Sequence, residues 1–285
     1  MLDDFSTGYR SNLASLDVEL LEGTILDAAT VERAVDGVDS VMHLAARGSV
    51  PRSVEDPVRT HEVNATGTLN VLVAGKAAGA YVAVASSSSV YGANEALPKR
   101  EDMLPMPKSP YAVSKLATEA YALAFQRTYG MPTLAFRFFN VFGPYQSARH
   151  PYAAVVPAFV AAMLDGESLV VHGDGTQSRD FTAVESVVNV LTDALTRQVV
   201  HHGPVNLAFG TNTSLLDLIA RITKSLGLDE PSIRFGPPRV GDVRASSAEH
   251  AILMDLFGTA AVPVPLSEGL DAVIKWFQET GGRQE

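Results

Sequence analysis

The 285-residue sequence contains no cysteine. That excludes disulfides, thiolate metal sites and a cysteine nucleophile together, and it suits a reducing compartment. No apolar run approaches the roughly 20 residues that a membrane-spanning helix needs. Met1–Arg10 lacks the apolar stretch of a signal peptide. A cytoplasmic protein with no membrane partner is therefore expected. Positive charge is scarce: 22 Lys and Arg stand against 32 Asp and Glu, a net charge of −10. A diffuse negative field argues against nucleic acid as a partner. It leaves room for an anionic substrate, because a few local arginines can outweigh it. His43, His172, His201 and His202 show no ligand spacing, and no carboxylate cluster is placed to join them, so no metal is expected. Missing too are G-x-G-x-x-G, G-x-x-G-x-x-G and the P-loop pattern; Gly173-Asp174-Gly175 is only G-x-G, with no helix directly after it.

What is present is a globular composition, 46% hydrophobic and 19% charged, with enough length for one large core or two smaller ones. Short apolar runs alternate with longer helical patterns. Val38–Leu44 and Tyr81–Ala85 read as buried strands, Val58–Ala78 as a long helix ending near Gly79, and Thr133–Phe138 as a further strand. Pro110–Tyr129 reads as a helix capped by Ser109, with Pro110 in its first turn and Gly130 and Pro132 as its stop. Buried strands separated by helices predict an α/β fold with a doubly wound parallel sheet. After Gly143-Pro144 the helices Val155–Leu164, Val184–Thr196, Leu215–Leu226 and Leu266–Thr280 are joined by proline-rich loops, which predicts a smaller α/β lobe. Phe181–Leu195 is placed to return to the first unit. Met1–Asp4 looks like the end of a strand.

Two features carry chemistry. Tyr111 and Lys115 are four residues apart on a predicted helix and so share one face. A tyrosine with its usual pKa of about 10 is a poor base at neutral pH, and a neighbouring ammonium lowers that pKa by stabilising the phenolate. Alone, this pair is an ordinary amphipathic spacing. The second feature is Ser86-Ser87-Ser88-Ser89, directly after the strand Tyr81–Ala85. Hydroxyls at the C-terminal end of a parallel strand stand where such sheets bind ligands, and one can relay a substrate proton to a tyrosine.

SSSSVYG at Ser86–Gly92 followed by SPYAVSK at Ser109–Lys115 resembles the extended short-chain dehydrogenase/reductases of the nucleotide-sugar epimerase/dehydratase group. LDDFSTG at Leu2–Gly8, HLAARGSVPRSVEDP at His43–Pro57, NATGTLNVL at Asn64–Leu72, FRFFNVFGP at Phe136–Pro144, GDGTQSRDF at Gly173–Phe181 and PRVGDVR at Pro238–Arg244 extend the likeness over nearly the whole chain. The resemblance implies a Rossmann-like domain over 1–138 plus about 182–210 whose first βα unit is absent. It implies a nucleotide-sugar lobe over 139–181 plus 211–285. It also implies NAD as cofactor, a UDP-sugar as substrate and a homodimer through the Val58–Ala78 and Pro110–Tyr129 helices. Tyr111 would be the acid or base, Lys115 would bind the nicotinamide ribose, and Ser87, with Ser88 as second candidate, would bridge substrate and tyrosine. Asp3, next to Asp4, would hold the adenosine ribose and favour NAD over NADP, since a carboxylate repels a 2′-phosphate. Ile25 would pack on the adenine, beside a Thr24 that stands where an Asp is usual. Leu44, Ala45 and Ala46 would line the pyrophosphate and ribose, with Asn64 near the cofactor. Asn140, Arg179 and Arg239 would meet the substrate diphosphate, the arginines through the guanidinium fork. Asp242 would hold the uridine ribose, and Ala154 and Val155 would line the substrate.

Dehydratases of the group place acidic residues just after the bridging hydroxyl, and uronate decarboxylases carry a Glu there; this chain has Ser88 and Ser89. That favours 4-epimerisation. RGSVPRS, YAAVVP and GDVRASSAE look most like UDP-N-acetylglucosamine 4-epimerases. Ser246 falls where a bulky residue would narrow the sugar pocket; its plain alternative is the start of a helix over Ala248–Leu256. Glu249 replaces the usual Asp of that last motif. The absent glycine-rich turn leads us to expect a misplaced start or a fragment of a longer chain, with weak hold on the NAD pyrophosphate. A cofactor-sensing protein on a decayed enzyme fold is the alternative.

Overall fold

The computed structural model describes residues 1–148, 152–237 and 244–282. Its centre is a four-stranded parallel sheet in the order Val205–Leu207, Thr133–Phe138, Tyr81–Ser87, Ser40–His43. Tyr81 to Ser86 are all buried, which is why this strand reads as a nearly continuous small-apolar run rather than an alternating one. A separate parallel pair, Leu2–Asp3 with Leu21–Glu22, is joined to the sheet only through side chains. Leu2 packs on a core that includes Ile25, Val71, Val82 and Val84. The sheet's other face is covered by Val187, Val190 and Leu191 of the helix Val184–Arg197.

The second core gathers Phe142, Phe159, Val160, Leu218, Ile222, Trp276 and Phe277. It is built by the helices Val155–Leu164, Leu215–Leu226 and Leu266–Thr280, whose boundaries match the sequence pattern. Three short pairings stitch this lobe: Asn140–Phe142 with Phe181–Ala183, Leu169–His172 with Ile233–Gly236, and Ser178–Arg179 with Thr213–Ser214.

Local chemistry sets the helix that matters most. In Pro110–Tyr129 the Ser109 hydroxyl accepts the Ala112 N–H at 3.2 Å, Pro110 occupies the first turn, and Gly130 ends the helix with φ +67°. Three expectations are corrected. The helix expected over Val58–Ala78 is not continuous: Pro57–His61 passes through a π turn at Glu62–Thr66 before Gly67–Ala78. The Asn64 carbonyl inside that turn accepts from the Thr118 hydroxyl at 3.0 Å, a tertiary bond that no local pattern announces. The strand expected over Val38–Leu44 is Ser40–His43, because Leu44 already leaves the sheet and is exposed. Ser246 does not start a helix; the next one is Ala251–Phe257, preceded by His250, and the Ser246 N–H instead donates to the Ser178 carbonyl at 3.1 Å.

Gly92 closes the turn that follows the serine run. Its φ is +49°, and a Cβ there would stand 1.9 Å from the Met106 carbonyl oxygen. Gly79, at φ +71°, has nothing within 4 Å of such a Cβ. Gly79→Ala is thus expected to cost about 1–2 kcal/mol through backbone conformation alone. Gly92→Ala should cost at least about 3 kcal/mol, since strain and a backbone clash add. Urea unfolding of the two variants side by side checks this; equal losses would refute it.

Candidate active site

Three consecutive residues at the end of the strand Tyr81–Ser87 meet the helix Pro110–Tyr129. The Ala85 carbonyl accepts from Lys115 Nζ at 2.8 Å. The Ser86 hydroxyl donates to Glu119 Oε2 at 3.0 Å and lies 3.2 Å from the Lys115 carbonyl oxygen. Ser87 interacts with the Tyr111 hydroxyl. The sheet register brings this about: Ser87 pairs with Phe138 at the C-terminal end of the next strand, where side chains leave the sheet.

The electrostatics of these groups follow from burial. Burial raises the Tyr111 pKa above its usual value, and the Ser87 hydrogen bond works against that rise. Burial lowers the Lys115 pKa from 10.5 to about 8. The Ser87 oxygen accepts the Ser89 N–H at 3.2 Å, which leaves its own proton free to donate. Ser88 opens the short helical turn Ser88–Tyr91, half-buried and beside Ser87. The Ser89 hydroxyl is buried without a partner among the described residues.

The segments expected around the cofactor gather on the edge-strand side. Asp3 ends its strand, and its Oδ1 accepts the Phe5 N–H at 2.8 Å. Asp4 is exposed and binds the Ser6 N–H at 3.0 Å. Leu44 and Ala45 are exposed, and Ala46 is half-buried, directly after the strand Ser40–His43. Ile25 is only 7% exposed, and its side chain presses on the helix at Gly67 and joins the core. Asn64 is buried away from solvent: its carboxamide accepts the Arg47 N–H at 2.6 Å and donates to the Arg47 carbonyl at 3.2 Å and to Ser114 Oγ at 2.9 Å. It therefore clamps the loop after Ala46 onto the helix that carries Tyr111. A 510 Å³ cavity joins these segments to the other lobe, lined by Phe5, Gly8, Ala46, Ser49, Gln146 and Ala154 among others. Ser87, Tyr111 and Lys115 stand outside its lining.

On the second lobe, Asn140 Nδ2 donates to the Asp180 carbonyl at 3.3 Å, and Arg179 Nη1 donates to the Ser178 carbonyl at 2.8 Å. Ser246 docks on the same Ser178, so Asn140, Arg179 and Ser246 converge on Ser178–Asp180. Val155 starts the helix Val155–Leu164 directly after the exposed Ala154. Arg239 and Asp242 lie outside the described residues.

Residues that the sequence reading passed over bind this site from behind. Glu119 continues the Tyr111–Lys115 face by one more turn, a spacing that could have flagged it. Asp180 is buried, accepts from Gly210 N, Thr211 Oγ1 and Ala248 N at 2.9–3.0 Å, and ties the last motif to the strand beside Arg179. His43 bonds Thr68 Oγ1 at 2.9 Å; burial, with the Lys115 charge second, lowers its pKa to about 3 and keeps it neutral.

The profile of the NAD dependent epimerase/dehydratase family matches residues 2–208. The chain belongs to that family. It is 36% identical to a UDP-glucose 4-epimerase of Mycolicibacterium smegmatis over 97% of this chain and 90% of the relative. Among solved structures it is similar to the UDP-N-acetylglucosamine 4-epimerase from Methanobrevibacter ruminantium M1 in complex with UDP-N-acetylmuramic acid, with TM-score 0.91 and 35% identity over 98% of this chain and 90% of that one. It is also similar to a dTDP-glucose 4,6-dehydratase from Streptomyces venezuelae with NAD bound, with TM-score 0.89 and 30% identity over 99% and 87%. The fold is the Rossmann-like α/β fold of these enzymes, and NAD is the family's cofactor.

The reacting end of the site fits that cofactor. A buried ammonium has three donors, and Lys115 has one acceptor, the Ala85 carbonyl, among the described residues. Its other donors suit the hydroxyls of a ribose. Without such a partner the charge is costly. Lys115 binds its proton more weakly in the fold (pKa about 8) than in the unfolded chain (10.5), so stability falls as pH drops from 10.5 through 8 and stays reduced below. Lys115→Met is therefore expected to stabilise the cofactor-free chain by up to about 3 kcal/mol at pH 7. Urea midpoints at pH 7 measure this; a variant less stable than the parent would contradict it.

Proposed function

We propose that the chain is an NAD-dependent UDP-sugar 4-epimerase acting through a 4-keto intermediate, with UDP-N-acetylglucosamine placed ahead of UDP-glucose. The observation that carries the reading is the Ser87–Tyr111–Lys115 cluster flanked by serines, not carboxylic acids, at positions 88 and 89. Elimination of water from a ketosugar calls for an acid and a base beside the bridging hydroxyl, and two serines provide neither.

When bound, NAD supplies the acceptor, and then the donor, of the sugar C4 hydride. Tyr111 takes the proton of the C4 hydroxyl, directly or through Ser87, and returns it when the opposite face is reduced. Ser88 is a second hydroxyl within the same turn. Lys115 stabilises the Tyr111 phenolate and holds the nicotinamide ribose. Asp3 and Asp4 serve the adenosine ribose, Ile25 the adenine side, and Leu44, Ala45 and Ala46 the pyrophosphate, with Asn64 fixing their loop. Asn140 and Arg179 take the substrate diphosphate, with Arg239 and Asp242 assigned by the same reading to its phosphate and ribose. Ala154 and Val155 line the nucleotide, and Ser246 borders the sugar. The division assigns 1–138 with about 182–210 to the cofactor and 139–181 with 211–285 to the sugar nucleotide; the separate core of the helices Val155–Leu164, Leu215–Leu226 and Leu266–Thr280 supports it, while Leu253, Phe257 and Ala261 pack with the sheet core. A cytoplasmic homodimer belongs to the reading; exposed Val58 on Pro57–His61, Val73 on Gly67–Ala78, and Val113 and Tyr121 on Pro110–Tyr129 support the dimer.

With NAD supplied in excess, to offset the expected weak hold on its pyrophosphate, mass and absorbance should show it bound, and UDP-N-acetylglucosamine should be converted to its 4-epimer. Tyr111→Phe should lower kcat by at least about 100-fold, the scale of general acid–base catalysis. Bound NAD with no turnover of any UDP-hexose would overturn the reading in favour of a sensor. Ser246→Tyr should reduce kcat/KM for UDP-N-acetylglucosamine by about 10-fold or more and leave UDP-glucose nearly unchanged. Equal losses on both sugars would remove Ser246 from the pocket.

A further inference from the structure

Behind the reacting groups lies a buried charge pair that the proposed chemistry does not use. Arg137, on the strand Thr133–Phe138, is 2% exposed, and Glu119 is 4% exposed. The pair is bidentate, with Arg137 Nε to Glu119 Oε2 at 2.9 Å and Nη2 to Oε1 at 2.6 Å. The remaining guanidinium nitrogen, Nη1, donates to the Glu101 carbonyl at 3.3 Å, and the guanidinium lies 4.7 Å from the Tyr91 ring centroid. Tyr91 in turn donates to Asn206 Oδ1 at 2.6 Å. Such a pair is a poor way to stabilise a core: desolvating two ions costs several kcal/mol each, and apolar residues of similar volume are often neutral or better. Its effect is directional. Glu119 Oε2 also receives the Ser86 hydroxyl, and Ser86 touches the Lys115 carbonyl.

Ser86 lies between the two residues that handle the reaction. Ala85 before it holds the Lys115 ammonium, and Ser87 after it meets Tyr111. We infer that Ser86 and Glu119, braced by Arg137, are positioning residues that lock the strand end onto the helix and thereby set the depth of Lys115 and the approach of Tyr111 to Ser87. The inference rests on the reading of Ser87, Tyr111 and Lys115 as the reaction set. Without the lock the strand end and helix part slightly, water reaches Lys115, and its pKa rises from about 8 toward the ordinary lysine value. The other titratable and charged groups around Lys115 are neutral His43 from the edge strand, Tyr111 one turn earlier on its own helix, and the Glu119–Arg137 pair behind.

The test reads Lys115 directly, by NMR titration of the full chain labelled at lysine Cε, with Lys115→Met assigning the signal. Ser86→Ala removes the link. Glu119→Leu with Arg137→Met removes the charge pair without leaving an ion unpaired. Both are expected to raise the Lys115 midpoint by at least about half a pH unit, and Ser86→Thr, which keeps the hydroxyl, to leave it in place. An unmoved midpoint in folded Ser86→Ala would reduce the network to fold support and overturn the inference, whether or not the double variant folds. The readout needs no substrate. A chain that turns over no UDP-sugar would therefore sink the epimerase reading while the Lys115 midpoint still decides this one.

Discussion

The structure depends on one contact, the zipping of the strand Tyr81–Ser87 to the helix Pro110–Tyr129. Three successive strand residues engage the helix through three different groups: a backbone carbonyl at Ala85 and side-chain hydroxyls at Ser86 and Ser87. The parallel sheet makes this possible, because its central strand is covered on both faces and held in register by both neighbours. A rigid strand end and a capped helix start leave little freedom between Ser87 and Tyr111. Catalysis by proton and hydride transfer is sensitive to that freedom.

Polar groups buried around this contact explain the character of the site. Lys115 keeps one acceptor among the described residues, His43 is neutral, and Glu119 pairs directly with Arg137. Asn64 spends its carboxamide on a loop and a helix rather than on solvent. Each of these groups loses hydration on folding, and Asn64, Glu119 and Arg137 regain it as hydrogen bonds within the fold. The burial that lowers the Lys115 pKa also makes its charge costly to the fold.

The second lobe reaches the site through a few bonds of high sequence separation. Asp180 gathers Gly210, Thr211 and Ala248, and Ser178 receives Ser246. Asn140 and Arg179 are thus set beside Ser246, although more than sixty residues separate Arg179 from Ser246. The 510 Å³ cavity is bordered by segments far apart in the sequence, residues 5–9, 46–52, 146–147 and 152–154.

The helices with ordinary start and stop chemistry were legible in the sequence. Pro110–Tyr129, Leu215–Leu226 and Leu266–Thr280 end where Gly130, Gly227 and Gly281 stand, because a left-handed cap is a local requirement that glycine meets. The Tyr111–Lys115 face was legible too, since helical spacing alone puts them one turn apart. Tertiary contacts decided the rest. They bent Val58–Ala78 through the π turn at Asn64, turned Ser246 toward Ser178, buried Ile25 in the core, and made Glu119 and Arg137 a charge pair behind Ser86. The division has a physical cause. Caps and helix faces are set by residues a few positions apart, whereas the partner of a buried polar group comes from wherever the packed chain supplies one.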